Sequence, residues 1–346
     1  MTDKFTTKGF ADYFIENRGY ANTFLEKIDR LIDWKHIERD LLKKYRKTAS
    51  ADGRPAYPAL PMLKLLLLQR WYNLSDPGLE EAVKDRISFI RFSGFSLEST
   101  LPDYSTICRF RNALLELNVY EKLFGEINRQ LESKGILVKE SNGAILDATI
   151  IESSRRPRKV IEVMPEDRQE EECKEQNPTI TYSDDSDATW VRKGKKAHYG
   201  YKTHLAVDAE EGFILGGHVT SAHVADTTQF EKLISESTMP HGSFIAADKG
   251  YCSEKNRALI QNNYTDSIMY KAARNKPLTF IQCLINKLIS QIRYVVEQGI
   301  GTLKRRYGFF RMRYIGLEKG NMEFMLNAMA FNLKKAAAKI ELGRGA

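Results

Sequence analysis

Three acidic residues stand where an acidic residue is out of place. Asp147 interrupts the apolar run Ala144-Ile145-Leu146-Asp147-Ala148-Thr149-Ile150-Ile151. A charge inside such a strand costs free energy unless it is paired or holds a metal. Asp248 ends a second run, Phe244-Ile245-Ala246-Ala247, and is followed by Lys249-Gly250-Tyr251. Glu297 lies in the middle of a long helical pattern over 277–307. If the two runs are neighbouring strands, both aspartates meet at the centre of a sheet, and the helix can lay Glu297 beside them. Clustered carboxylates repel one another unless a cation neutralises them. Hard oxygen donors suit Mg²⁺ or Mn²⁺. Two such ions, about 3.5–4 Å apart, clamp the attacking and leaving oxygens of an in-line phosphoryl displacement. That chemistry requires no protein nucleophile.

The helix that carries Glu297 adds to this reading. Arg293, Glu297 and Lys304 share one face by their spacing. Leu284, Leu288, Ile292, Val295 and Leu303 fall mainly on another, suited to a sheet. A solvated face held by an Arg–Glu pair accounts for the same spacing. Asp208 and Asp226 read as turn and N-cap residues. Glu152, five residues after Asp147, falls on the opposite strand face. His198 and His204 have no evident carboxylate partner and read as structural, with a nucleic-acid contact open to His198. Tyr199, Tyr201, Lys202 and Tyr251 stand close enough in sequence to these blocks to support the site.

Cations cluster in four places: Arg109 and Arg111, Arg155-Arg156-Pro157-Arg158-Lys159, Arg192-Lys193 with Lys195-Lys196, and Lys304-Arg305-Arg306 with Arg311 and Arg313. The last run is interleaved with aromatics, a composition that binds phosphates and stacks on bases. Its Phe309 and Phe310 are expected to pack inward. Lys249 joins this set as a candidate phosphate contact.

Positioning these residues requires two kinds of body. From about 20 to 135 the apolar residues recur at helical spacing. Pro61 suits a first helical turn, Ser75-Asp76-Pro77 a helix start, and Thr106–Leu117 a helix opened by Ser105-Thr106. Short helices joined by tight turns over 75–117 are compatible with a helix-turn-helix and equally with a plain bundle. From 143 the order changes to β, β, β, α, β, α, β and then a long helix. Tyr201–Asp208 and Phe213–Thr220 form a hairpin around Glu210-Glu211-Gly212. This succession gives an α/β mixed five-stranded sheet flanked by helices, of RNase H-like type, preceded by an all-helical N-terminal domain. The boundaries expected are 1–138 for the helical DNA-binding part and 139–315 for the catalytic part, the latter with a charged insertion at about 152–190. A C-terminal helix, 316–346, packs on the catalytic part.

The chain has 346 residues, a net charge of +8 and a pI of about 9.1, a balance that favours a polyanionic partner. Residues 152–187 hold eleven acidic and six basic residues, so the remainder carries +13. Cys108, Cys173, Cys252 and Cys283 form no CxxC pair and lie at no zinc spacing, which argues against a disulfide framework or structural zinc. No signal peptide is visible, and the longest apolar stretch is too short to span a bilayer. The expected location is cytoplasmic, with no membrane partner.

Taken together, these blocks resemble the DDE transposases of bacterial insertion sequences. The resemblance is to the group named after insertion sequence five, close to that named after insertion sequence four, and covers most of the chain. Trp34, Gly53-Arg54-Pro55-Ala56-Tyr57, Leu74-Ser75-Asp76 and Ser105-Thr106-Ile107 with Arg109-Phe110-Arg111 resemble its N-terminal domain. Leu146-Asp147-Ala148-Thr149, Gly194-Lys195-Lys196 with His198-Tyr199-Gly200-Tyr201-Lys202, and Ala247-Asp248-Lys249-Gly250-Tyr251 resemble its catalytic blocks. Arg293, Glu297 and Lys304 match its tyrosine-arginine-glutamate-lysine signature, in which Ser290 replaces the tyrosine. The resemblance implies an RNase H-like fold, Mg²⁺, and double-stranded DNA as substrate. It implies cutting at the element's inverted-repeat ends and joining of their 3′-hydroxyls to target DNA, by a homodimer assembled on DNA. An endonuclease without strand joining, or an inactive DNA-binding relic, is compatible with the same fold.

Overall fold

The computed structural model describes residues 5–16, 23–45, 56–137, 142–157, 185–237 and 239–342. Gly53, Arg54, Pro55, Arg158, Lys159 and most of the acidic insertion lie outside them. The first part is helical: α1 (Phe10–Glu16), α2 (Thr23–Leu31), α3 (Trp34–Lys44), α4 (Ala59–Trp71), α5 (Asp76–Asp85), α6 (Ile87–Ser93), α7 (Tyr104–Glu116) and α8 (Tyr120–Ser133). In α4 every residue except Leu60 is buried, as a helix apolar on all sides must be. Ser75 caps α5 by accepting from the Gly78 N–H, with Pro77 in the first turn. The cap of α7 is Asp103, which accepts from the Thr106 N–H at 2.7 Å, two residues before the expected start.

The second part alternates. Strands β1 (Gly143–Glu152), β2 (Thr189–Lys193), β3 (Lys196–Asp208) and β4 (Ile214–Ser221) precede α9 (Asp226–Glu236), β5 (Phe244–Ala247), α10 (Glu254–Ile260) and β6 (Thr265–Ile268). Helices α11 (Phe280–Ile292), α12 (Tyr294–Arg306) and α13 (Leu317–Leu342) complete the described chain. The sheet runs β4-β3-β1-β5-β6, with β1 antiparallel to β3 and parallel to β5. These are the five strands expected, in an RNase H-like order. The sixth, β2, forms a hairpin with the start of β3 around Gly194, whose φ of +61° suits the two-residue turn. Its side chains are largely exposed on both faces, so no apolar alternation marks it in the sequence. The long helix expected over 277–307 is interrupted at one residue, Arg293, although the Glu297 N–H still reaches the Arg293 carbonyl at 3.2 Å.

Helix α13 joins the two parts. It packs on β4 on one side and on α2, α4 and α8 on the other, so Phe324, Leu326, Met329, Ala330, Leu333 and Ala336 are all buried. Strand β4 pairs only with β3, and α13 satisfies part of its open edge. Asn332 accepts from the Ile214 N–H at 2.9 Å and Asn321 from the Val219 N–H at 2.7 Å. A buried polar network crosses the same seam. Arg70 of α4 meets Glu323 of α13 at 3.1 Å with both side chains fully excluded from solvent, and it also donates to the Tyr314 hydroxyl at 3.1 Å. Among the described residues, no helix is long and apolar enough to cross a membrane.

Candidate active site

The register of the two parallel strands brings the aspartates together. Leu146 of β1 pairs with Ala247 of β5, so Asp147, in the middle of β1, and Asp248, just past the carboxyl end of β5, follow side by side. In open α/β sheets the carboxyl end of a parallel strand such as β5 is where ligands bind. Asp147 sits in the strand, accepts from the Ala148 N–H at 2.9 Å, and is largely buried. Asp248 caps the single 3₁₀ turn Lys249–Tyr251 and is more open. Arg293 faces both: its Nη2 lies 3.1 Å from Asp147 Oδ2 and its Nη1 3.6 Å from Asp248 Oδ1. Burial raises the Asp147 carboxyl above its ordinary value, against the pull of Arg293, and the Asp248 charge adds to the rise.

Glu297 is not gathered in. It is exposed on α12, one turn beyond Arg293. Among the described residues no three His, Cys, Asp or Glu side chains form a group able to hold a metal ion. The pair Asp147–Asp248 nevertheless fits a hard divalent cation: its donors are carboxylate oxygens, and a positive group already bridges them.

A second layer supports the Asp248 turn. Lys202 of β3 donates to Asp226 at 2.9 Å and to the Val224 carbonyl at 2.7 Å. A Cβ on Gly250 would lie 2.9 Å from Asp226 Oδ2, so a larger residue there would require the Asp226 carboxylate of this ion pair to shift. Asp226 is the first residue of α9 rather than its N-cap, which is Ala225. Asp208 has the expected turn role, accepting from the Glu211 N–H at 2.6 Å. The buried Tyr251 hydroxyl lies 3.3 Å from His204 Nδ1, and His204 Nε2 is 3.1 Å from the Thr220 hydroxyl. Burial and the neighbouring His218 push His204 down to about 3, so it is a neutral ring and no base for the reaction at neutral pH.

Four of the cations expected to face DNA are engaged inside the protein. Arg111 is buried, donates through both Nη atoms to Asp76 at 2.7 and 2.8 Å, and covers the Tyr314 ring. Lys202 and Arg293 neutralise the carboxylates named above. Lys304 is half-buried and donates to the Ile150 carbonyl at 2.9 Å, fastening α12 to β1. Each is a long side chain whose charge answers an interior oxygen that sequence spacing does not reveal. Arg109, Arg155, Arg156, Lys195, Lys196, Lys249, Arg305 and Arg306 are exposed. Lys195 and Lys196, together with Arg192 and Lys193, form the tip of the β2–β3 hairpin. Of the two aromatics expected inside, Phe309 is buried and Phe310 is exposed, its carbonyl instead accepting from the Glu152 N–H.

His198 does have a carboxylate neighbour: its Nδ1 lies 3.5 Å from Glu152, which also faces Arg156 and Arg311. Tyr199 and Tyr201 do not reach the aspartate pair. Their hydroxyls go to the carbonyl and the side chain of Asp185, a buried carboxylate that also accepts from Ser153. Asp185 was hidden in the charged insertion, where no local pattern separates it from its acidic neighbours.

The sheet order, with β1 antiparallel to β3 and parallel to β5, is that of an RNase H-like body. The chain belongs to the transposase DDE domain family, whose model matches residues 139–333, and it is a DDE transposase, an enzyme class dependent on divalent metal. Residues 13–113 match the family described as Transposase domain (DUF772). The transposase for insertion sequence element IS1106 of Neisseria meningitidis serogroup B is 39% identical over 234 residues, which are 67% of this chain and 78% of that protein. Among solved structures, the piggyBac transposase synaptic complex with hairpin DNA aligns with a TM-score of 0.44 and 10% identity, over 94% of this chain and 74% of its own.

Proposed function

We propose that this protein cuts DNA at the inverted-repeat ends of its insertion sequence and joins the resulting 3′-hydroxyls to target DNA. The reading rests on one observation above others: Asp147 and Asp248 lie side by side on the parallel strand pair β1 and β5, one within its strand and one at the end of its strand, and share a cationic partner. Asp147, Asp248 and Glu297 would hold Mg²⁺ or Mn²⁺, two ions being the expected number. When bound, the ions supply charge neutralisation and activation of a water or 3′-hydroxyl for in-line phosphoryl displacement. The chain's own residues do the rest. Strands β1 and β5 fix the two aspartates, and the Lys202–Asp226 pair holds the turn after Asp248. Lys195, Lys196, Lys249, Arg305 and Arg306 offer exposed charge to backbone phosphates, with Arg109, Arg155 and Arg156 further out.

The helical segment up to about residue 138 is assigned to end recognition, 139–315 to catalysis, and 316–346 to holding the two together. Because two ends must be brought to one target, the active form is a homodimer on DNA.

The test uses a labelled duplex carrying the element's end, a target plasmid, and Mg²⁺ or Mn²⁺. Asp147→Asn, Asp248→Asn and Glu297→Gln are expected to bind the duplex as wild type does but to lose cutting and joining by roughly 10³-fold or more. Cutting without joining would make the protein an endonuclease. Activity that survives Asp147→Asn would place the site elsewhere.

A further inference from the structure

The aspartate pair is not an open cradle, because a guanidinium already bridges it. We propose that Arg293 is the resident counter-ion of the metal-free site, and that divalent cation and this guanidinium compete for Asp147 and Asp248. The inference rests on the reading of those aspartates as metal ligands and adds a role for Arg293 that phosphate contact does not describe.

Three features support it. The two Nη atoms divide between the two carboxylates, so one side chain neutralises both. Its Nε is buried with no hydrogen-bond partner, so the guanidinium is held by the carboxylates and not by a complete set of bonds. A buried donor left unsatisfied is costly, which lowers the barrier to leaving. Finally, Arg293 is the single non-helical residue between α11 and α12. Helix α11 on its near side is loosely held: Phe280, Ile281, Leu284 and Leu288 are exposed, and only Asn286 and Ile289 are buried. A side chain at such a junction can swing without dismantling a packed element. Lys304, also within electrostatic reach of Asp147, does not play this part, since its ammonium is bonded to the Ile150 carbonyl.

A competitor that occupies the site most of the time weakens apparent metal affinity by the fraction of molecules left open. The experiment is an Mn²⁺ titration of DNA-free protein, with free Mn²⁺ read by electron paramagnetic resonance. Arg293→Gln is expected to bind Mn²⁺ roughly 10-fold or more tightly than wild type. Arg293→Lys, which keeps the charge but cannot span both carboxylates, is expected to fall between. Lys304→Gln removes a nearby charge that touches neither carboxylate, and is expected to change affinity by less than about 3-fold. A thermal readout guards against a folding defect: Arg293→Gln should melt lower than wild type in EDTA and gain more from Mn²⁺. Unchanged or weaker Mn²⁺ binding by Arg293→Gln would overturn the proposal, as would equal tightening by Lys304→Gln. If Asp147→Asn binds Mn²⁺ as wild type does, the ligand assignment itself is wrong and the competition falls with it.

Discussion

Replacing Arg70 by methionine should unfold the protein from its seam. The guanidinium and the Glu323 carboxylate are both fully excluded from solvent, 3.1 Å apart. At an effective dielectric of about 20 their attraction is roughly 5 kcal/mol. Removing the arginine leaves Glu323 buried, although not alone: the Arg313 N–H donates to it at 2.9 Å and the Arg313 Nε lies 3.8 Å away. Breaking a buried pair from one side costs about 3–5 kcal/mol, and the Arg313 contacts place this case toward the lower end. In a chain of 346 residues, whose unfolding entropy is about 2.1 cal/mol/K per residue, that is a fall in Tm of roughly 4–6 °C. Urea and thermal denaturation of Arg70→Met, Glu323→Gln and the double variant give the cycle. The double variant should lose less than the sum of the singles, with a coupling of about 2 kcal/mol. Because the pair joins α4 to α13, wild type should unfold in one transition by fluorescence and by circular dichroism. Single variants that lose under about 1 kcal/mol, or two separated wild-type transitions, would refute the argument that this network welds the parts.

Other perturbations test the site itself. His204 is held neutral by burial, its pKa below that of an unfolded histidine, so its contribution to stability is complete above about pH 6.5 and is lost as pH falls from there toward 3; in His204→Asn the loss of stability between pH 6 and 4 should be shallower, and an unchanged slope would contradict this. Asp147 is raised by burial, so its ionised form weighs against folding once pH exceeds its folded value; calorimetry in EDTA should show Asp147→Asn melting above wild type, and a lower Tm would mean that Arg293 outweighs desolvation. Gly250→Ala pushes a methyl toward Asp226 and should reduce DNA cutting more than it reduces Tm, since the displaced turn carries Asp248; normal cutting would show that the turn is compliant.

Both aspartates were legible because Asp147 is a charge inside an apolar strand and Asp248 one at the end of another, and alternation with turn chemistry placed those strands. Leu146 opposite Ala247 then made the two meet, which needs only that β1 and β5 be neighbours. Side chains that act at a distance were not legible. Helical spacing puts Arg293, Glu297 and Lys304 on one face, but it does not say that the first bridges two aspartates, the second stays exposed and the third bonds a strand carbonyl. Arg111 has the look of a surface cation beside Arg109. Its partner, Asp76, is 35 positions away and emerges only when α5 and α7 pack together. Strand β2 was missed for the opposite reason: two exposed faces leave no alternation, and only the Gly194 turn betrays it.

The two-sided burial of α13 has a consequence for broken copies of the gene. A reading frame that stops before residue 317 removes the wall against which α2, α4 and α8 lie. It also removes the Ala330 carbonyl that receives the Trp71 indole N–H at 2.8 Å. Buried leucines of α4 would then meet water, and Arg70 would lose its carboxylate. Such fragments are therefore expected to be cleared by proteases and not to persist as folded competitors for DNA. If so, an intact copy would meet no folded competitor from frames truncated before α13.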